Sequence, residues 1–233
     1  MSHYSVHSTN IVLQSTAFAA CNRSDLIPSL YAYLCSSQYT TPRAKIQLSD
    51  RLKDGLVKQT QLSGLPRVLA SVGALATAEE AASTPASSFH WTDLVVTPEI
   101  RARGMDLLRR MYGGMSAEDL KGVTTNLGMH KEDLDALATG LAYGLFWSDN
   151  RVLGPVETEL VVVCAVLVDG VRLAQTMHCK GIMGLGLSRD SLRTVVSVVK
   201  ELVEKLGRSS EGWISIDEIV DLREQGRDLP FKG

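Results

Sequence analysis

The sequence predicts an all-α protein, and two observations support this prediction. Apolar residues recur at intervals of three and four residues along most of the 233-residue chain, and few stretches alternate with the two-residue period of a half-buried strand. The chain is also 45% hydrophobic and 21% charged, which is typical of a globular protein with a sizeable core. We therefore expect helices packed in one domain or in two fused halves.

The first half of the chain is predicted to form a pair of helices. Leu48, Leu52 and Leu56 share one face of the first helix, and Pro66 suits the opening turn of the second. Residues 77–97 are rich in Ala, Ser and Thr, a composition that favours a connection. The boundary between the halves is therefore predicted within this connection.

The second half is predicted to contain the helices with the most regular apolar spacing. Thr97 followed by Pro98 is typical of a helix start, and Ser116 indicates another. An apolar stripe from Leu134 to Leu145 predicts a further helix. Three more helices are predicted over residues 157–168, 171–186 and 188–206.

These patterns divide the chain into four segments. The first lacks acidic residues and shows no recognisable start of a fold, so we expect it to be poorly ordered. The predicted segments are a poorly ordered N-terminus (1–24), a first helical repeat (25–88), a second repeat (89–206), and a C-terminal loop with a short helix (207–233).

Charge and hydropathy exclude two classes of partner. The 24 basic and 26 acidic residues give a net charge of -2 without a long block of one sign, so nucleic acid is not expected as a partner. No apolar run approaches the roughly 20 residues that cross a bilayer, so no membrane association is expected. The four cysteines lack C-x-x-C spacing and favour a reducing compartment. We expect a cytoplasmic location, with the mitochondrion and the peroxisome as alternatives.

Two ionisable residues are predicted to meet inside the last helical hairpin. Asp169-Gly170 is a plausible tight turn, Glu159 lies ten residues before Asp169, and His178 lies nine residues after it. At about 1.5 Å of rise per residue the two side chains stand at similar heights on facing helices. A carboxylate beside an inward imidazole can fix its tautomer and shuttle a proton. The alternative is a buried pair that only locks the two helices together.

The same hairpin carries a recognisable motif over residues 157–196. Glu159 precedes His178 by nineteen residues, small residues follow, and Gly186-Leu187-Ser188-Arg189-Asp190 leads into the next helix. This arrangement resembles the signature helices of the carboxymuconolactone decarboxylase and alkylhydroperoxidase D superfamily. The resemblance implies that the glutamate and the histidine are the catalytic pair.

The resemblance also carries expectations about architecture. Residues 52–58 and 62–67 look like the first repeat of longer, two-repeat members. The implied fold is an alkylhydroperoxidase D-like helical bundle of two fused repeats, which assembles into a symmetric homo-oligomer. Peroxidase members carry a C-x-x-C pair where this chain has Val171 and Ala174. Without those thiols the disulfide cycle cannot run, so thiol peroxidase activity is not expected.

The decarboxylases of the superfamily lack the cysteine pair, as this chain does. The resemblance therefore implies decarboxylation or isomerisation of a small lactone or oxo acid by general acid/base catalysis, with no cofactor and no metal. His178 would donate the proton, and Glu159 would orient and recharge it. The competing interpretation is a non-catalytic helical module for oligomerisation or binding.

Four further residues are candidates for binding an anionic or aromatic small-molecule substrate. Arg67 or Lys180 would recognise an anion, although a solvated Lys180 and a locally bonded Arg67 are the alternatives that the sequence favours. Tyr143 and Trp147 stand four residues apart on one helix face and would line a pocket. For these two aromatic residues the alternative is packing in the core.

Overall fold

The computed structural model describes residues 6–91, 94–112 and 129–219, and the fold in these ranges is all-α, as the sequence predicts. No strand occurs in the described ranges. The prediction of two fused repeats remains a prediction. The helices are α1 (Val6–Ala20), α2 (Ile27–Ser37), α3 (Pro42–Lys58), α4 (Thr60–Ser63), α5 (Leu65–Ala81), α6 (Pro98–Tyr112), α7 (Lys131–Asp135), a π-helix (Ala136–Trp147), α8 (Pro155–Asp169), α9 (Arg172–Gly184) and α10 (Arg189–Lys205).

Helix α8 lies at the centre of the molecule. Every residue from Glu157 to Leu167 is buried, because the helix is apolar on all sides and has no face suited to water. Pro155 occupies its first turn, and the Glu157 carboxylate accepts a hydrogen bond from the Gly154 amide at 3.2 Å. Its other end stops at Gly170, whose φ of 78° is left-handed. Three of the four apolar clusters among the described residues include side chains of this helix.

Within the segment expected to be poorly ordered, residues 6–20 form helix α1, while the division of the chain into four segments remains a prediction. Helix α1 is buried from Ile11 to its end at Ala20 apart from one partly buried glutamine, and it contributes residues to three core clusters of the described residues. Its interior hydroxyls need no water, because Ser15 and Thr16 both donate to the Val12 carbonyl. A helix that is buried on all sides and that mixes apolar residues with buried hydroxyls shows no apolar stripe, which is why a search for amphipathic spacing misses it.

The predicted apolar stripe from Leu134 to Leu145 is only partly buried. Leu134 is 38% exposed and Leu137 is 53% exposed. Leu134 lies in α7, and from Ala136 onward the segment forms a π-helix, in which the Ser148 amide accordingly bonds to the Tyr143 carbonyl five residues earlier. A π-helix has more residues in each turn than an α-helix does. Residues spaced with the α-helical period therefore do not all lie on its buried face.

The connection predicted over 77–97 is shorter than expected, since α5 continues to Ala81. Its far end is anchored by aromatic rings, as Phe89 packs edge-on against Trp91 and Trp91 stacks on Phe146. The helix start expected at Ser116 lies outside the described residues. Within the described ranges, no helix is long and apolar enough to cross a membrane.

Candidate active site

The hairpin of α8 and α9 brings Glu159 and His178 together as the sequence predicts. The Nδ1 atom of His178 lies 2.7 Å from Oε1 of Glu159, within hydrogen-bond distance. The Glu159 side chain is 1% exposed and the His178 side chain is 9% exposed. The second ring nitrogen, Nε2, has no hydrogen-bond partner among the described residues. Among the described residues, the imidazole is therefore held through one nitrogen.

Burial sets the electrostatics of this pair. Desolvation raises the pKa of the Glu159 carboxyl, and the adjacent His178 ring opposes the shift through its charge and its hydrogen bond. The carboxyl therefore holds its proton more tightly than a solvated glutamate does. A carboxyl that retains its proton beside an imidazole can pass that proton to the ring, as a proton relay requires.

Aromatic side chains from the π-helix form a wall beside the imidazole. The Trp147 ring lies 5.5 Å from the His178 ring, edge-on, and the Tyr143 ring lies 6.5 Å away and nearly parallel to it. The Tyr143 hydroxyl is 3.4 Å from the hydroxyl of Tyr112 on α6. Burial raises the pKa of both tyrosines, so both hydroxyls stay protonated and can donate hydrogen bonds. Tyr143 and Trp147 thus belong to the same cluster as the pair.

Two glycines of α9 allow α6 to reach this cluster. A Cβ atom at Gly184 would overlap the backbone carbonyl of Met111. A Cβ atom at Gly181 would lie 3.4 Å from both the Tyr112 hydroxyl and Oε1 of Glu159. The absence of side chains therefore lets the end of α6 place Tyr112 beside the carboxylate. Sequence analysis missed Tyr112, and the paired glycines three residues apart were the signal that could have found it.

The buried ion pair of Asp54 and Lys58 on α3 lies next to Trp147 of the aromatic wall. The Trp147 indole donates to the Lys58 carbonyl at 2.9 Å. The Lys58 ammonium is fully buried, lies 3.0 Å from the Asp54 carboxylate, and donates to the Asp149 carbonyl and to the Thr158 hydroxyl at 2.6 and 2.8 Å. Burial lowers the pKa of Lys58 and raises that of Asp54, and their mutual attraction opposes both shifts. This network fixes the segment that joins the π-helix to α8.

Of the two other predicted binding residues, Lys180 is buried on α9 and Arg67 lies away from the pair. Lys180 is 6% exposed, so the favoured interpretation of a solvated lysine is wrong. It follows His178 by two residues, which turns its side chain by about 200° around the helix axis. Arg67 lies beside Asp169 at the far end of α8, roughly 15 Å from Glu159 at 1.5 Å per residue. The structure therefore separates Arg67 from the imidazole.

The cysteines are packed rather than reactive. All four are buried and free. Desolvation raises the pKa of Cys179 to about 12 and also raises that of Cys164. A thiol that keeps its proton is a poor nucleophile. Across the part of the chain that the structure describes, no cluster of three or more His, Cys, Asp or Glu side chains is arranged to hold a metal ion.

Comparison with known proteins yields one similar sequence. The chain is 24% identical over 203 residues to Peroxisomal protein 2 of Schizosaccharomyces pombe (strain 972 / ATCC 24843), and the alignment covers 87% of this chain and 89% of the yeast protein. No family model matches the chain. No solved structure matches it significantly.

Proposed function

We propose that this chain is a cofactor-free enzyme, similar to carboxymuconolactone decarboxylase, that decarboxylates or isomerises a small lactone or oxo acid. The observation that supports the proposal best is the 2.7 Å contact between His178 Nδ1 and Glu159 Oε1, with Nε2 free of partners among the described residues. A histidine held in this way presents one ring nitrogen to a substrate, while the carboxyl behind it stores and returns a proton.

The chemistry proposed for this site needs only a proton donor and a means of stabilising negative charge. When the bond to the carboxylate of an oxo acid breaks, the electron pair passes to the conjugated carbonyl and carbon dioxide leaves. The protonated Nε2 of His178 then donates its proton to the carbon, and Glu159 recharges the ring. The hydroxyls of Tyr112 and Tyr143 would donate hydrogen bonds to the enolate oxygen.

The test compares wild type with His178→Ala, Glu159→Gln and Tyr112→Phe on carboxylated lactones and β-oxo acids, with carbon dioxide release and isomer formation measured separately. General acid/base catalysis contributes about 10²–10⁴-fold, so we expect His178→Ala to lose at least about 100-fold in kcat/KM. The exposed His90 serves as the matched control, and His90→Ala should keep wild-type activity.

The competing interpretation predicts different outcomes. A wild-type protein that turns over nothing on the panel, while His178→Ala unfolds or loses its oligomeric state, would identify the histidine as structural. The chain would then be a helical binding module. Circular dichroism and size-exclusion chromatography of every variant distinguish the two cases.

We also propose that the chain forms a homo-oligomer. Leu65 and Leu69 stand four residues apart on one face of α5 and are 56% and 61% exposed, an apolar surface that a second subunit would cover. Sedimentation equilibrium of wild type and of the Leu65→Glu/Leu69→Glu variant tests this. A monomeric wild type would refute the proposal.

We propose in addition a peroxisomal location, in preference to the cytoplasm expected from composition. The support is the similarity along most of the chain to the yeast protein named Peroxisomal protein 2. Fluorescence microscopy of the chain carrying an internal fluorescent label, beside a peroxisomal marker, tests the location. A diffuse cytoplasmic signal would contradict it.

A further inference from the structure

A second polar cavity lies at the end of α8 that is remote from the histidine. Its volume is about 320 Å³, within the range of small-molecule sites. Five segments line it: the end of α1, the end of α4, the start of α5, the last turns of α8, and the loop that follows α10. Its polar lining includes Arg67, Arg208, Ser209 and Asp169. Because Asp169 and Glu159 are ten residues apart on one helix, the cavity stands roughly 15 Å from the imidazole.

The two arginines supply an excess of positive charge. Neither Arg67 nor Arg208 has a carboxylate within ion-pair distance among the described residues, although Asp169 lines the same cavity. Both guanidinium groups line this cavity. They also lie near the thiol of Cys21: burial raises the pKa of that thiol, while the charge and hydrogen bond of Arg208 and the charge of Arg67 oppose the increase.

Other donors complete the lining. The Ser209 hydroxyl accepts a hydrogen bond from the Glu211 amide at 3.0 Å, so its own proton is free to donate. The Ser63 hydroxyl instead donates to the Gln59 side chain, which leaves its oxygen as an acceptor. The remaining walls are the apolar side chains of α1, α4 and α8. The cavity thus offers two guanidinium groups and a hydroxyl together with an apolar surface.

We propose that this cavity binds a small anion through an oxyanion group, a phosphate or a carboxylate, held by Arg67 and Arg208. A guanidinium presents two parallel N–H donors that match the oxygens of either group. Ser209 donates a third hydrogen bond. Asp169 favours ligands with a single anionic group, because its carboxylate repels a second one. The same carboxylate can accept a hydrogen bond from a ligand hydroxyl. Binding at this site does not involve Glu159 or His178, so this proposal does not depend on the proposed reaction.

The experiment is isothermal titration calorimetry of the full 233-residue chain with inorganic phosphate and, in parallel, with malonate, at an ionic strength kept constant with sodium chloride. We expect saturable binding of at least one of the two probes. Arg67→Gln and Arg208→Gln should each weaken that binding by at least about tenfold, since each removes charge-assisted hydrogen bonds. The preferred probe tells whether the site selects phosphate or carboxylate.

Arg43 provides the matched control. It follows a proline in the first turn of α3, as Arg67 follows a proline in the first turn of α5, but it is exposed and lines no part of this cavity. Arg43→Gln should bind the probe as wild type does. Equal binding by wild type, Arg67→Gln and Arg208→Gln would refute the site, as would the absence of saturable binding of both probes to folded wild type. His178→Ala should retain binding, which separates this result from a failure of the proposed reaction.

Discussion

Replacement of Lys58 by methionine is expected to destabilise the fold more than any surface change. The substitution keeps the length of the side chain but removes the ammonium that pairs with Asp54 at 3.0 Å and donates to Asp149 and Thr158. The Asp54 carboxylate stays fully buried and loses its cation. Breaking a buried pair in this way costs about 3–5 kcal/mol. At about 2–4 °C per kcal/mol for a chain of this size, the melting temperature should fall by roughly 6–20 °C.

Urea denaturation followed by circular dichroism measures this effect. The double variant Asp54→Asn/Lys58→Met removes the orphaned charge, so it should recover at least about 2 kcal/mol of the loss. Lys205→Met is the control, since that lysine pairs with Glu201 on the solvent-exposed surface, and its unfolding midpoint should stay unchanged. A loss below about 1 kcal/mol for Lys58→Met, or a double variant no more stable than the single one, would contradict the assigned role.

Three further experiments test other features of the structure. Burial raises the pKa of Glu159 above its unfolded value of about 4.3, so the folded state binds this proton more tightly. The stability that this proton contributes is present at low pH and is lost as pH rises through the folded-state pKa. The free energy of unfolding of wild type relative to Glu159→Gln, measured from pH 4 to 8, should therefore fall with pH, and an increase would refute this account. Gly184→Ala should cost about 1–3 kcal/mol in urea denaturation because its Cβ overlaps the α6 backbone, whereas Gly73→Ala, in open space within α5, should stabilise by about 0.5–1 kcal/mol. Native alkylation by iodoacetamide at pH 8 should be at least about 100-fold slower than in denaturant, because all four thiols are buried; fast labelling of any of them would contradict their packed state.

The hairpin and its central contact could be predicted because they depend on local rules. Asp169-Gly170 marks a turn, and equal spacing on either side of it places Glu159 and His178 opposite each other. The apolar character of α8 and the inward face of α9 then fix the orientation of both side chains. The contact of 2.7 Å confirms that geometric prediction, while the catalytic role assigned to the pair stays a prediction.

The remainder of the site depends on contacts that no local pattern reveals. Tyr112 reaches the pair because Gly181 and Gly184 let α6 approach α9, a close approach between helices from different parts of the chain. The positions of Tyr143 and Trp147 depend on the π-helical winding, which periodicity analysis replaces with an α-helix. Arg67 was assigned to the site from a resemblance, and its distance from the imidazole follows from the length of α8.

The buried position of α1 constrains the order in which the chain can fold. The Cys164 thiol bonds to the Leu13 carbonyl at 3.7 Å across 151 positions of sequence, and α1 packs in one core cluster with α8, α9 and α10. During synthesis the first helix therefore emerges long before its partners exist. An apolar helix without a partner is prone to aggregation until non-local contacts form. The nascent chain should thus depend on chaperones, and a fragment that ends near residue 88 should not fold alone.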